Sequence, residues 1–251
     1  MSQTIYLVTG ANRGIGKAFT AQLLQRPNST VVAAVRTPSK AEPLNELPKG
    51  KNTKLIIVKI DASSDTDPAE AIATLQRDHA ITTLDVVIAN AGVAYDSTRI
   101  LDSKPSTARE IFDVNTIGPV TLAGAVAPLL KKSNKPVFAV ISSLAGGISA
   151  QKDLIAFGFP FSPYGASKAA VNWLLHRLHF EEEWLTAISF HPGMVLTDMA
   201  AAAGGPDFDL VAAGAIQPDD SAGQMLKVLD GANREQHGGK FLNYDGAELP
   251  W

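Results

Sequence analysis

Thr4-Ile5-Tyr6-Leu7-Val8-Thr9-Gly10-Ala11-Asn12-Arg13-Gly14-Ile15-Gly16 is a short apolar run ending in a glycine-rich turn, and Lys17 to Gln25 follows with helix-forming residues. A strand, a glycine turn and a helix in that order aim main-chain N–H groups and the positive end of a helix at one spot. Glycine there lets a pyrophosphate come close to the backbone. The glycines stand at positions 10, 14 and 16, a spacing that differs from the Gly-x-Gly-x-x-Gly dinucleotide fingerprint. Taken by itself, the turn reads also as a plain tight strand-to-helix connection.

The alternation continues along the chain. Apolar, β-rich runs recur at Thr30 to Val35, Lys54 to Ile60, Leu84 to Ala89, Val137 to Ile141, Thr186 to Phe190 and Lys240 to Tyr244. Between them lie helical patterns at Ala69 to Asp78, Ser106 to Leu130 (bent near Pro119), Tyr164 to Glu183 and Asp219 to Leu229, and a proline-broken stretch around Pro43 and Pro48. Near-continuous apolar strands separated by helices predict an α/β fold with a doubly wound, seven-stranded parallel sheet and helices on both faces. No linker or repeat interrupts the chain, so residues 1–251 read as one domain.

Composition narrows the function. A formal charge of −3 offers no basic field for nucleic acid. The absence of cysteine excludes disulfides, thiolate catalysis and cysteine-ligated metals. No apolar run is long enough to span a bilayer, and Met1-Ser2-Gln3 leads straight into the first strand with no room for a signal peptide, so a cytoplasmic location without membrane attachment is expected.

Tyr164 and Lys168 stand four residues apart in a helical pattern, on one face and roughly 6 Å apart in rise. A free phenol with a pKa of about 10 is a spectator at neutral pH, but a nearby ammonium favours the phenolate and draws the group toward acid–base work. Many solvated helices carry such a pair by chance. Together with the glycine turn, however, the chain resembles the short-chain dehydrogenase/reductase family over essentially its whole length. Thr9 to Gly16 matches that family's Thr-Gly-x-x-x-Gly-x-Gly turn, and Asn90-Ala91-Gly92 its Asn-Ala-Gly after the fourth strand, with Ala89 where a further asparagine is usual. Asn115, Ser143, Pro192-Gly193 and Thr197 match in order. A narrower resemblance, to fungal norsolorinic acid ketoreductases, lies in Gln25-Arg26-Pro27, His179-Phe180-Glu181, Trp184 to Ala187 and the tail Asp245 to Trp251.

The resemblance implies a single Rossmann domain and a nicotinamide cofactor held by Gly10, Asn12, Arg13, Gly14, Ile15, Gly16, Asp61, Ala62, Asn90, Ala91, Gly92, Pro192, Gly193, Val195 and Thr197, with Tyr164 and Lys168 also touching it. It implies a catalytic set of Asn115, Ser143, Tyr164 and Lys168. Ser143 and Tyr164 serve the carbonyl oxygen, Lys168 lowers the phenol pKa and holds the ribose, and Asn115 fixes a water that relays protons. The end of the second strand reads Ala33-Ala34-Val35-Arg36-Thr37, with no carboxylate for a ribose 2′-hydroxyl. Arg36, with Arg13, is placed to pair with a 2′-phosphate, which favours NADPH over NADH. A solvated surface charge is the other reading of each arginine, and a turn or cap residue that of Asp61.

Two segments carry substrate choice in this reading. The 144–163 insertion contains Ala156-Phe157-Gly158-Phe159-Pro160-Phe161, which line an aromatic pocket or else pack in the core or at a subunit surface. The 198–217 segment stands at the family's substrate lid, with Met199, Phe208 and Leu210 as pocket residues. His176 and His179 are expected to face solvent or pack on a neighbour, His191 to be satisfied by backbone or to approach the cofactor, Trp251 to anchor the tail, and Glu181-Glu182-Glu183 to be a solvated helix end. The leading function is NADPH-dependent reduction of a ketone on a hydrophobic, aromatic polyketide or other secondary metabolite. An alcohol dehydrogenase working in the oxidative direction and a catalytically silent NADP-binding sensor or scaffold are the alternatives. Family members often pair through the helices at 106–130 and 164–183, which suggests a homo-oligomer, dimer or tetramer, unless the insertion obstructs that surface.

Overall fold

The computed structural model describes residues 3–95, 98–156, 160–204 and 208–251. Strands β1 (Thr4–Thr9), β2 (Ser29–Val35), β3 (Lys54–Lys59), β4 (Val86–Ala89), β5 (Val137–Ile141), β6 (Thr186–His191) and β7 (Phe241–Asn243) form one sheet. Its helices are α1 (Gly14–Gln25), α2 (Asp67–His79), α3 (Pro105–Phe112), α4 (Gly118–Leu130), α5 (Gln151–Ala156), α6 (Ser162–Glu181), α7 (Asp198–Gly204) and α8 (Pro218–Asp230). The strand order is β3-β2-β1-β4-β5-β6-β7, seven strands with every pairing parallel, which is the expected doubly wound Rossmann-type sheet.

Side chains alternate across a strand, so the sheet feeds two cores. Tyr6 and Val8 join Phe19 and Leu23 of α1 and Met225 and Leu226 of α8 on one face. Leu7 joins Leu75 of α2, Val126 of α4 and Leu175 of α6 on the other. β2 is buried at every position because both of its faces are covered, and that is why Thr30 to Val35 reads as an unbroken apolar run rather than an alternating one. Each fully buried side chain such as Phe19 or Leu23 contributes about 1.5–3 kcal/mol.

The helix expected over 106–130 is broken, but not at Pro119. A π turn at Asp113–Ile117 separates α3 from α4, with the Gly118 N–H donating to the Asp113 carbonyl. Pro119 sits in the first turn of α4, where its missing N–H costs nothing. The proline-broken stretch holds two 3₁₀ turns, Pro38–Lys40 and Glu42–Glu46.

The strand order reverses between β1 and β4, and there the carboxyl ends of neighbouring strands open a crevice. Closing α1 onto that crevice requires glycine at position 16. A Cβ there would overlap the Gly10 carbonyl oxygen and stand 2.5 Å from the Asn90 side-chain nitrogen. Gly16→Ala should therefore lower the melting temperature by several degrees, from about 1–3 kcal/mol of overpacking, although alanine is the better helix former. A thermal scan that shows an unchanged or raised midpoint would refute this close approach.

Candidate active site

The glycine turn leaves β1 through Gly10 in the left-handed region (φ +63°) and enters α1 at Gly14 (φ +51°), conformations open to glycine at little cost. No side chain caps the amino end of α1 and no acidic residue lies in its first turn, so its N–H groups and dipole are directed at the crevice. Thr197 lies across the turn, with its Cγ2 3.3 Å from where a Gly14 Cβ would stand. Asn12 and Ile15 are half-buried, while Arg13 and, at the end of β2, Arg36 are exposed. This donor set suits a dinucleotide diphosphate.

Asn90 is tied into the protein by its own hydrogen bonds. Its amide nitrogen donates to the Thr9 carbonyl at 2.9 Å, while the main-chain N–H groups of Asn90 and Ala91 both donate to Thr9 Oγ1 at 3.0 Å. These contacts fasten the end of β4 to the end of β1. Asp61, after β3, accepts from the N–H and hydroxyl of Ser63 at 3.0 and 2.8 Å, which closes a turn there. Ala62 packs against the start of α4 at Gly118, where a Cβ would strike its carbonyl.

At the other wall, α6 presents Tyr164 and Lys168 on one face, with the ammonium 5.7 Å from the phenol ring centroid. Lys168 is only 4% exposed and donates to the Ile141 carbonyl at 2.8 Å. Burial pushes its pKa down to about 8. Tyr164 is half-buried, and desolvation raises its pKa while a side-chain hydrogen bond with Ser143 partly offsets the rise. The depressed phenol pKa expected from the pair is therefore not realised. Removal from water sets the direction of the shift, and the Lys168 charge is turned toward the Ile141 carbonyl.

Ser143 follows β5 and caps a 3₁₀ turn at Leu144–Gly146, accepting from the Ala145 N–H at 3.2 Å. The next N–H in this loop, that of Leu144, donates to His191 Nδ1 at 3.2 Å. His191 is thus backbone-satisfied. Its Nδ1 is an acceptor, and burial holds its pKa down to about 4, so it stays neutral. Asn115 lies fully buried in the π turn. Its amide donates to the Val93 carbonyl (2.8 Å) and Ser167 Oγ (3.1 Å), and its Oδ1 accepts from the Val93 N–H (2.9 Å). Gly92 completes the corner: a Cβ there would lie 3.2 Å from Asn115 Oδ1 and 3.6 Å from Lys168 Nζ.

Ser167 was not among the residues singled out by motif. Its hydroxyl donates to the Tyr164 carbonyl at 2.6 Å, and its own carbonyl accepts from Thr116 Oγ1 at 2.9 Å, so it ties α6 to the π turn. The available signal was its position three residues after Tyr164, on the inner face of the same helix.

Pro192 accepts from Ser221 Oγ at 2.6 Å. Gly193 (φ +81°) packs on the Tyr244 ring, and Val195 is buried in a bridge to Ile216. Thr197 caps α7 by accepting from the Ala200 N–H at 3.2 Å. In the lid, Met199, Phe208 and Leu210 are half-buried. Of the insertion, Phe157, Gly158 and Phe159 lie outside the described residues, whereas the Phe161 ring stands 6.0 Å from that of Tyr164. His179 is buried with its Nδ1 3.1 Å from Arg234, and His176 Nδ1 meets the Gly239 carbonyl at 2.6 Å, so both pack rather than face solvent. The acidic helix end is not simply solvated. Arg177 pairs with Glu181 at 2.6 Å, and Glu182 accepts from the Trp184 indole and pairs with Lys131 at 3.5 Å.

A phenol and an amine on one helix face, a serine next to the phenol, and an uncapped helix end at a strand crevice are the parts that a nicotinamide-dependent oxidoreductase uses. The family model for short chain dehydrogenases matches residues 4–205, and the chain belongs to that family. The short chain dehydrogenase gsfK of Penicillium aethiopicum is 40% identical over 98% of each chain. Norsolorinic acid ketoreductase of Aspergillus parasiticus is 36% identical over 99% of this chain and 92% of its own. Among solved structures, the NADPH-bound carbonyl reductase from chicken fatty liver superposes with a TM-score of 0.86 at 31% identity, covering 100% of both chains. No described helix is long and apolar enough to cross a membrane.

Lys168 yields a pH prediction. Its native pKa of about 8 lies below the ordinary 10.5, so between those values the unfolded chain binds the extra proton and stability must rise with pH. Subtracting the stability of Lys168→Met from that of the cofactor-free protein, measured by denaturant titration from pH 7 to 10.5, should give a curve that climbs by an amount on the order of 3 kcal/mol. A flat difference curve would mean that the ammonium is not desolvated.

Proposed function

We propose that the protein is a cytoplasmic NADPH-dependent ketoreductase that converts a ketone on a hydrophobic, aromatic secondary metabolite to a secondary alcohol. The observation that carries this reading is the Tyr164 hydroxyl. It lies next to Ser143, is kept protonated by desolvation, and is set beside Lys168. In this reading the chain is one catalytic domain, with the 144–163 and 198–217 segments forming the substrate side.

The groups divide the work as follows. Ser143 donates to the carbonyl oxygen, and Tyr164 transfers its proton to that oxygen as negative charge grows on it. The nicotinamide that these residues would hold would supply the hydride. Lys168 stabilises the phenolate left behind and holds the ribose hydroxyls. Asn115, through the corner it shares with Gly92 and Lys168, is the start of the path by which solvent returns the proton.

Arg36 and Arg13 give the cofactor preference. Both are exposed at the diphosphate end, no carboxylate stands at the end of β2, and neither forms an ion pair among the described residues. They are assigned to a 2′-phosphate. The names of the similar proteins, norsolorinic acid ketoreductases and an NADPH-bound carbonyl reductase, point the same way. The aromatic preference rests on Phe161, whose ring adjoins that of Tyr164.

The helix face suggested for self-association carries an open groove of about 570 Å³ between α4 and α6, lined by Val120, Ala123, Phe138, Val140, Trp173 and Leu174. It runs beside the part of α6 beyond Val171 and includes neither Tyr164 nor Lys168. Trp173 is 64% exposed there. A second copy is the proposed occupant, and light scattering should return at least twice the chain mass of 26.5 kDa. A monomer at micromolar concentration would overturn that assignment without touching the chemistry.

Two substitutions test the enzyme itself. With 2-acetylnaphthalene and NADPH, Tyr164→Phe should remove turnover, by at least about 10²-fold, while NADPH still binds. Surviving turnover would show that another group donates the proton. Arg36→Ala should weaken NADPH by about tenfold or more, from the loss of roughly 1.5–3 kcal/mol of charged hydrogen bonding, with NADH little changed. Equal losses for the two cofactors would sink the phosphate pairing.

A further inference from the structure

The loop that carries Ser143 stays bonded to β6 one step beyond the point where the β5–β6 ladder ends. In a parallel pair, alternate N–H groups of one strand donate to alternate carbonyls of its neighbour. The Ser142 N–H keeps that pattern and donates to the Phe190 carbonyl at 2.7 Å. The next donor in step is the Leu144 N–H, and its partner in step would be the Pro192 carbonyl. That carbonyl instead accepts from Ser221 Oγ of α8 at 2.6 Å. The Leu144 N–H donates to His191 Nδ1 at 3.2 Å, so the ring at the end of β6 supplies the rung that the main chain does not. Ser143 lies between the two rungs with an extended backbone (φ −162°, ψ 149°). The turn that follows is closed by the Gly146 N–H on the Ser143 carbonyl at 3.0 Å and the Gly147 N–H on the Leu144 carbonyl at 2.8 Å.

From this geometry we infer that His191 is a positioning residue for Ser143: by taking the Leu144 N–H it fixes the turn in which the Ser143 hydroxyl is aimed. The inference rests on the reading of Ser143 as a donor to the carbonyl oxygen. A hydroxyl has one hydrogen to give and two lone pairs with which to accept. Ser143 Oγ accepts from the Ala145 N–H at 3.2 Å, an arrangement that uses a lone pair and leaves the hydrogen to donate. Ala145 follows Leu144 directly. A shift of the Leu144 amide therefore turns the Ala145 N–H with it, and the hydroxyl loses the bond that orients it. Because Nδ1 accepts, the proton of the neutral ring sits on Nε2. Burial holds the imidazole pKa down to about 4, so the acceptor is present at neutral pH. The contribution of His191 is direction, and the proton that moves in the reaction belongs to other groups.

Two measurements on the full chain test this. Long-range nitrogen–proton magnetic resonance spectra of the imidazole at neutral pH should show His191 Nδ1 unprotonated and Nε2 carrying the proton; a proton on Nδ1 would overturn the proposal. The second measurement is a double-mutant cycle with 2-acetylnaphthalene and NADPH. His191→Leu, which removes the acceptor, should lower kcat about tenfold while KM and NADPH affinity change by less than about twofold, the mark of a misaimed group rather than a lost binding contact. His191→Asn, whose Oδ1 stands as many bonds from Cβ as Nδ1 does, should return kcat to within about threefold of the native value because the Leu144 N–H regains an acceptor. Ser143→Ala alone should lower kcat by about 10²-fold or more. Adding His191→Leu to it should cost less than about twofold further, since no hydroxyl is left to aim. His191→Phe gives the same comparison if His191→Leu fails to fold. A loss of about tenfold in both backgrounds would overturn the proposal and leave the role of Ser143 standing. So would a fall in NADPH affinity that matches the fall in kcat. Unchanged turnover in Ser143→Ala would remove the reading of Ser143 and the proposal with it.

Discussion

Thr9 and Asn90 hold together the point on which everything else depends. At the reversal of strand order, β1 and β4 are neighbours whose following segments leave in opposite directions, and nothing in a parallel ladder prevents their ends from splaying. One threonine hydroxyl receives two main-chain N–H groups, and one asparagine amide returns the bond to the threonine carbonyl. Each such bond is worth only about 0.5–1.5 kcal/mol net. Their placement matters more than their sum, since the Gly10 carbonyl and the Asn90 amide are the two atoms on which Gly16 closes. The crevice, the approach of α1 and the position of Gly92 beside Lys168 all follow from this fastening.

On the opposite wall, burial rather than pairing sets the charges. A phenol raised by desolvation stays protonated, the form that donation to a carbonyl oxygen requires. An amine with a pKa of about 8 is still mostly charged at neutral pH. The phenol is thus protonated, and the ammonium lies 5.7 Å from its ring centroid. The neutral His191 contributes by accepting a main-chain N–H, which a protonated ring could not do.

The strands were legible in the sequence because a sheet covered on both faces needs unbroken apolar runs, and Val137 to Ile141 is reproduced residue for residue. Tyr164, Lys168, Ser143, Asn115 and the glycine turn were legible as motifs. What each residue binds was not, because the partners are far apart in the chain. Asn90 reaches back 81 residues to Thr9, Leu144 finds His191 47 residues on, and Asn115 meets Ser167 across 52. Pro119 drew attention to the wrong point of the 106–130 segment, since a proline in the first turn of a helix marks a start and not a bend. The lowered phenol pKa fails for a related reason. Spacing on a helix tells which side chains are neighbours, but not how much water is left around them.

The π turn at Asp113–Ile117 has a consequence for the phase of the helical stretch that contains it. An α-helix turns about 100° per residue, so one residue added to a turn swings everything beyond it by that angle. Before the slip, Ile111 is the buried side chain of α3 and the helix lies against α6. After it, Leu122, Val126 and Leu129 face the sheet and α2. Asn115 sits at the slip itself, in contact with both α6 and the loop after β4. The segment therefore works as two helices in different rotational settings joined without a loop, and a deletion of one residue there would re-aim a whole face of the core.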